Sequence, residues 1–207
     1  MLTHYHFLIA RVQCKDMQRV LEVAGGIKSY LSNPDCLVTP ENRGCPFCPT
    51  PHLLRRHGSY TRQVLLPDPD PVESIPVFRL YCVHVGQTVS LLPDFCLPRR
   101  QHGPGILGRF LAAFVRGASL LDALRSVREE TPSHGVAQSL RDGFLGRLPQ
   151  LHAYLGPRCA QPPPEIPPDR RSIALVFFRL IQGFSDAATA IVYHGVRFHR
   201  RFGLGIA

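Results

Sequence analysis

Two periods of apolar residues divide this chain. Around Ile75–Tyr81 they alternate, with Val77, Arg79 and Tyr81 on one side and Phe78, Leu80 and Cys82 on the other. Beyond Pro104 they recur at three- and four-residue steps. The first pattern predicts two-faced strands and the second predicts helices. Residues 1–10 read as a short strand, with Tyr5, Phe7 and Ile9 set against His4, His6 and Leu8. Asp16 then opens an expected helix carrying Met17, Val20, Leu21, Val23 and Ala24, closed by Gly25-Gly26. A loop rich in Pro and Asn, residues 33–43, leads to Cys45 and Cys48 on a turn containing Pro46. A polar, basic strand, an acidic proline-rich loop (Pro67–Pro71), the Ile75–Tyr81 strand and a third strand over Thr88–Leu92 follow.

In the second half, Ile106, Leu107, Phe110, Leu111, Phe114 and Val115 form one helical stripe that Gly117 ends. Ser119 and Asp122 resemble a capping box for a short helix with Leu120, Ala123, Leu124 and Val127 inward. Ser133 is placed to cap a third helix with Val136, Leu140, Phe144, Leu148, Leu151 and Leu155 along one side, kinked at Pro149. A linker with six prolines, Gly156–Asp169, precedes one long apolar helix expected over Arg171–Arg201. That helix is apolar round much of its circumference, so it should be buried against the helical region or a second copy of the chain. The expected class is α+β: a small zinc-ribbon-like β-unit, a helix-turn-helix region and a long C-terminal helix. The boundaries are 1–43 for the N-terminal strand and helix, 44–98 for the ribbon, 99–155 for the helical region, 156–170 for the linker and 171–207 for the last helix.

Charge changes the picture. The formal net charge is +9, and of 24 basic residues only Lys15 and Lys28 are lysines. Arginine grips phosphate oxygens bidentately, and an excess of it favours polyanions, nucleic acid first. Residues 1–10 lack the basic start and apolar run of a secretory signal, so a reducing cytoplasm is expected. There the seven cysteines suggest metal rather than disulfides. The most apolar segment, Ile173–Val196, is interrupted by Arg179, Gln182 and Asp186 and is too polar for a membrane span.

Zinc wants four sulfur or nitrogen donors. Cys45, Cys48 and Cys82 supply three, and His84 is expected as the fourth, because an extended strand puts it on the same face as Cys82. His52, His57 and Cys96 are the other candidates. A complete second knuckle would need a cysteine where Val85 stands. His4 and His6 read as a solvated strand face, and Cys159 as a lone thiol.

A short helix, a tight turn and a longer helix with a polar front end form the layout of a helix-turn-helix. In that geometry Ser133, His134, Gln138 and Arg141 would face the major groove, with Gln and Arg able to read base edges. Arg99, Arg100, Arg109 and the cluster Arg197, Arg200, Arg201 would hold phosphates.

The order of motifs, CPFC, HGSYTR, IPVFRLYC, TVSLLPDFCLPRR and then the helices, resembles the N-terminal DNA-binding region of bacterial insertion-sequence transposases, closest to short zinc-ribbon proteins associated with them. The likeness covers about Gly44–Leu155. It implies sequence-directed binding of double-stranded DNA, with a transposase or a second copy of the chain as further partners. Such transposases cut DNA with three carboxylates on a separate sheet domain. After Leu155 this chain offers only Glu165, Asp169 and Asp186, so no enzymatic activity is expected.

Overall fold

The computed structural model describes residues 16–66, 73–127, 133–156, 166 and 168–202. The N-terminal strand expected at residues 1–10 with His4 and His6, the acidic loop Pro67–Pro71, Glu165 and Cys159 lie outside them. Four strands form one mixed sheet: β1 (Asp16–Leu21), β2 (Arg55–Val64), β3 (Glu73–Cys82) and β4 (Gln87–Pro93), in the order β1-β4-β3-β2. The β2–β3 and β3–β4 pairs are antiparallel, and β1 runs parallel to β4.

The segment opening at Asp16 is therefore a strand and not a helix. Its apolar spacing fits a helix locally, but Asp16 to Leu21 find six consecutive partners on β4, from Thr88 to Pro93. The helix comes later, as α1 (Gly26–Ser32), entered through Gly25 at φ 80°. Its Tyr30 is buried and donates its hydroxyl to the Pro76 carbonyl at 2.6 Å, fastening α1 to β3. Residues 33–43 carry two short 3-10 turns.

The expected strands over Ile75–Tyr81 and Thr88–Leu92 are present within β3 and β4. The sheet's core draws on more than the expected 44–98 unit. Val20, Leu21, Val23, Tyr30 and Leu37 from before it, and Val196 from far beyond it, pack with Leu54, Ile75, Val77, Leu80, Val89 and Leu91.

A helical core sits beside the sheet. The stripe of α2 (Pro104–Val115) is buried at all six expected positions. Ser119 caps α3 (Leu120–Arg125), its Oγ accepting from Asp122 N at 3.1 Å. The third expected helix is two, α4 (His134–Leu145) and α5 (Leu148–Leu155), parted at Gly146-Arg147. Pro149 stands in the first turn of α5, where its missing N–H costs no helical bond. Ser133 occupies the N-cap of α4 but makes no side-chain cap bond.

The long C-terminal helix is also two, α6 (Arg171–Ile181) and α7 (Ala187–Phe202). Gly183 at φ 85° turns the chain, and Asp186 restarts it by accepting from Thr189 N at 2.9 Å. The apolar faces of α6 and α7 are consumed within the chain, with Ile173, Val176, Phe177, Leu180, Ile191 and Phe198 in the helical core. Helix α7 also closes the gap to the sheet: Val196 enters the sheet's core and His199 Nε2 lies 2.6 Å from the Gln18 carbonyl oxygen. Gly108 lets α2 approach α7, since a Cβ there would stand 2.9 Å from the Ala187 carbonyl carbon. Among the described residues no helix is long and apolar enough to cross a membrane.

Candidate metal centre

The first knuckle is a loop closed at its base. Gly44 bridges Leu53, Cys45 N donates to the His52 carbonyl at 3.0 Å and Leu54 N donates to the Arg43 carbonyl at 2.7 Å. Arg19 of β1 reaches across to the Asn42 carbonyl at 2.6 Å and the Gly44 carbonyl at 3.1 Å. Burial pulls its guanidinium below the usual arginine range, against the Cys45 charge, which pulls the other way. Inside the loop Phe47 N points at Cys45 Sγ from 3.4 Å.

The second half of the site is the β3–β4 turn. Cys82 ends β3 and is fully buried, and Gly86, at φ 67°, returns its N–H to the Cys82 carbonyl at 2.9 Å. Val85, where a second CxxC would put its last cysteine, is 45% exposed in this turn. The two halves meet. Cys82 Sγ lies 3.6 Å from Cys45 Sγ, 3.6 Å from Cys48 Sγ and 3.4 Å from His52 Nε2. These four ligand atoms all lie within 4.8 Å of one another, and none of the described cysteines is in a disulfide. Three sulfurs and one imidazole nitrogen so arranged can hold a metal ion.

The fourth donor atom brought into this cluster belongs to His52, and the expected His84 is not among the grouped atoms. The β3–β4 turn leaves His84 exposed, its ring edge-on to the His52 ring at 4.7 Å. The other candidates also stand elsewhere. Cys96 is buried in the sheet's core, where desolvation pushes its thiol up to about 12, and His57 stacks on Tyr81. His52 follows Cys48 at a spacing that signals a ligand only once the loop is known to close. Its Nδ1 lies 3.1 Å from the Thr50 carbonyl oxygen, which fixes the ring and leaves Nε2 facing the sulfurs.

The sulfurs are electrostatically unequal. Burial pushes Cys82 up, but the Val85 and His84 backbone amides, the His52 ring and Cys45 more than offset it and bring the thiol down to about 6. Cys48 is pushed up to about 11 by desolvation and by its sulfur neighbours. The Cys82 sulfur, with the Thr50 carbonyl, raises His52. One thiolate is thus ready at neutral pH, while Cys48 must release a proton to bind a cation.

The residues expected to contact DNA fall in several places. Arg99, at φ 60°, donates its backbone N–H to Gln18 Oε1 at 3.1 Å, and Arg100 donates to Ser139 Oγ on α4. Arg62 of β2 supports this connector, donating to the Leu97 carbonyl at 2.6 Å and to the Arg100 carbonyl. Ser133, His134 and Gln138 are exposed on α4, and Arg109 is exposed on α2. Arg141 pairs with Asp142 at 2.7 Å. Arg197 pairs with Glu22 at 3.3 Å and lies over the Tyr193 ring, while Arg200 and Arg201 are exposed at the end of α7. Gln18 and Ser139, which sequence reasoning did not single out, and Arg62, which it read only as positive charge on the hairpin, tie these segments together. Comparison of the chain with protein-family models, with curated proteins and with solved structures finds no match.

Proposed function

We propose that this chain binds double-stranded DNA, with a zinc ion pinning its β-unit and a cationic surface built on α4 and the Arg99–Arg100 connector meeting the duplex. The observation that carries the reading is convergence. Segments around residues 18, 99–100, 139 and 199 are remote in sequence, yet Gln18 bonds both Arg99 and His199, and Ser139 receives Arg100. Arg100 is held against α4 at Ser139, while Arg99 and His199 come together at Gln18 of β1. A polyanion such as duplex DNA rewards that gathering by releasing its counterions.

Zinc fits the donor set. With zinc–sulfur bonds of about 2.3 Å and zinc–nitrogen bonds of about 2.0 Å, a tetrahedron has edges of roughly 3.8 Å between sulfurs and roughly 3.5 Å between sulfur and nitrogen. The contacts to Cys82 are 3.6, 3.6 and 3.4 Å. Cys45, Cys48, His52 and Cys82 would hold the ion in a closed structural site, where it supplies folding energy and no reaction. It would join β3 to the loop that Arg19 holds.

In this reading α3 and α4 act as a helix-turn-helix. Ser133, His134 and Gln138 face a groove, and Arg141 joins them on giving up its surface pair with Asp142, a loss of under about 1 kcal/mol. Association with a mobile element, and with a transposase, rests on motif order alone. A scaffold that dimerises through its last helix is the weaker reading, because α6 and α7 spend their apolar faces inside the chain. Titration of random-sequence duplex at two salt concentrations tests the proposal. Affinity should fall steeply with salt; weak, salt-insensitive binding overturns it. Gln138→Ala should then level the affinities for preferred and random sites.

A further inference from the structure

The strand register assembles a second surface, on one face of the sheet. Tyr60 stands opposite Val77, Arg79 opposite Ser90, and Ser90 opposite Gln18, while Arg55 and Thr88 both stand opposite Tyr81. Paired residues share a face, and so do residues two apart on a strand. Arg55, Tyr60, Arg79, Tyr81, Thr88 and Gln18 therefore look the same way. The aromatic rings among them are dressed with cations: Arg79 lies over the Tyr60 ring at 5.6 Å, and His57, at the β2 bulge, stacks on Tyr81 with centroids 5.2 Å apart and planes 28° from parallel. His57 and Arg55 are exposed, and Tyr60, Arg79 and Tyr81 are partly so. One border of the face is basic as well, since Arg62 holds the Arg99–Arg100 connector and His199 meets Gln18.

A sheet that buries its aromatic residues needs no arginine beside them. Flat rings that stay partly open, alternating with cations on a rigid sheet, suit a ligand with flat faces and a negative backbone. We propose that this face is a stacking platform for single-stranded nucleic acid, unpaired bases lying on Tyr81 and Tyr60 while Arg55, Arg79 and the connector track the phosphates. Stacking of this kind tolerates any base, because every base presents a π-face. A duplex hides those faces, so the platform and the α4 surface take different forms of the polymer. The inference shares with the proposed function the expectation of a polyanion and the Arg99–Arg100 connector, and needs nothing from α4 itself.

The test is fluorescence anisotropy of the full chain with labelled oligothymidylate, oligouridylate and a duplex of equal length. Oligothymidylate or oligouridylate should bind, and Tyr81→Ala should weaken that binding about tenfold. Tyr81→Phe, which keeps the ring, should bind as the wild type does, and duplex affinity should not change. His57→Ala, a change at an exposed position that leaves the fold intact, should shift single-strand binding in the same direction. The proposal is overturned if neither single strand binds, or if Tyr81→Ala binds as tightly as wild type. It is also overturned if Tyr81→Phe loses as much as Tyr81→Ala, since the ring would then be irrelevant. Loss of duplex binding with the Tyr81 effect intact sinks the α4 reading and leaves the platform standing; a duplex that binds while Tyr81→Ala changes nothing does the reverse.

Discussion

Replacing His52 should damage the proposed metal centre far more than replacing His84. Both histidines lie next to the sulfurs, and their rings touch at 4.7 Å, but only His52 has a ring nitrogen among the ligand atoms, 3.4 Å from Cys82 Sγ. A structural zinc site contributes about 10–16 kcal/mol at neutral pH. Sharing that among four ligands gives His52 about 3 kcal/mol, and water would take its place in His52→Ala. Three kcal/mol is a loss of roughly 100-fold in affinity. His84→Ala removes an exposed ring that only steadies its neighbour, and the loss should stay under about tenfold. Competition against a chelator of known zinc affinity, run on wild type and both variants, reads the two numbers directly. An equal loss in the two variants, or a greater one in His84→Ala, would refute the ligand assignment.

Other perturbations test other joints. Metal affinity should rise about tenfold per pH unit around neutrality for each proton displaced, since Cys48 is held up to about 11 while Cys82 is already down at about 6; a flat profile would contradict this. Asp94 is raised from 3.8 to about 6, chiefly by burial. The folded chain then holds its proton more tightly, so this group's contribution is complete below pH 4 and is lost as pH rises through about 6. Denaturant titrations of Asp94→Asn should therefore lack a decline of up to about 3 kcal/mol that wild type shows across that window. Gly108→Ala gains about 1 kcal/mol of helix propensity. It also drives a methyl against the Ala187 backbone, which cannot yield like a side chain, at an overpacking cost of about 1–3 kcal/mol. The melting temperature should fall by several degrees, and a rise would show that α2 and α7 are not so closely docked.

Local signals in the sequence carried the elements whose partners are near. The α2 stripe, the Ser119 cap and the β3 and β4 strands each follow from residues within a few positions, and the structure has them. Asp16–Leu21 misled because Met17, Val20 and Leu21 fit a helical stripe equally well. Its strand state comes from β4, some 70 residues away, a pairing that no local pattern encodes. The break between α6 and α7 was legible: Gly183 followed by Ser185-Asp186 and then Thr189 is a stop and a cap. A continuous run of apolar residues on both sides hid it. At the metal centre the three cysteines were readable from spacing, whereas the choice of His52 over His84 depends on the Gly44–Leu53 bridge, which folds the loop back over its own cysteines.

Phosphate contact by the connector beside α4 is the central claim to test. The direct measurement is the slope of log affinity against log salt for duplex DNA, in wild type and in the double variant Arg99→Ala/Arg100→Ala. Each lost phosphate contact removes about 0.9 from the slope, so the variant should be shallower by roughly 1.8. An unchanged slope would mean that this arginine pair, and the surface built around it, does not face the DNA.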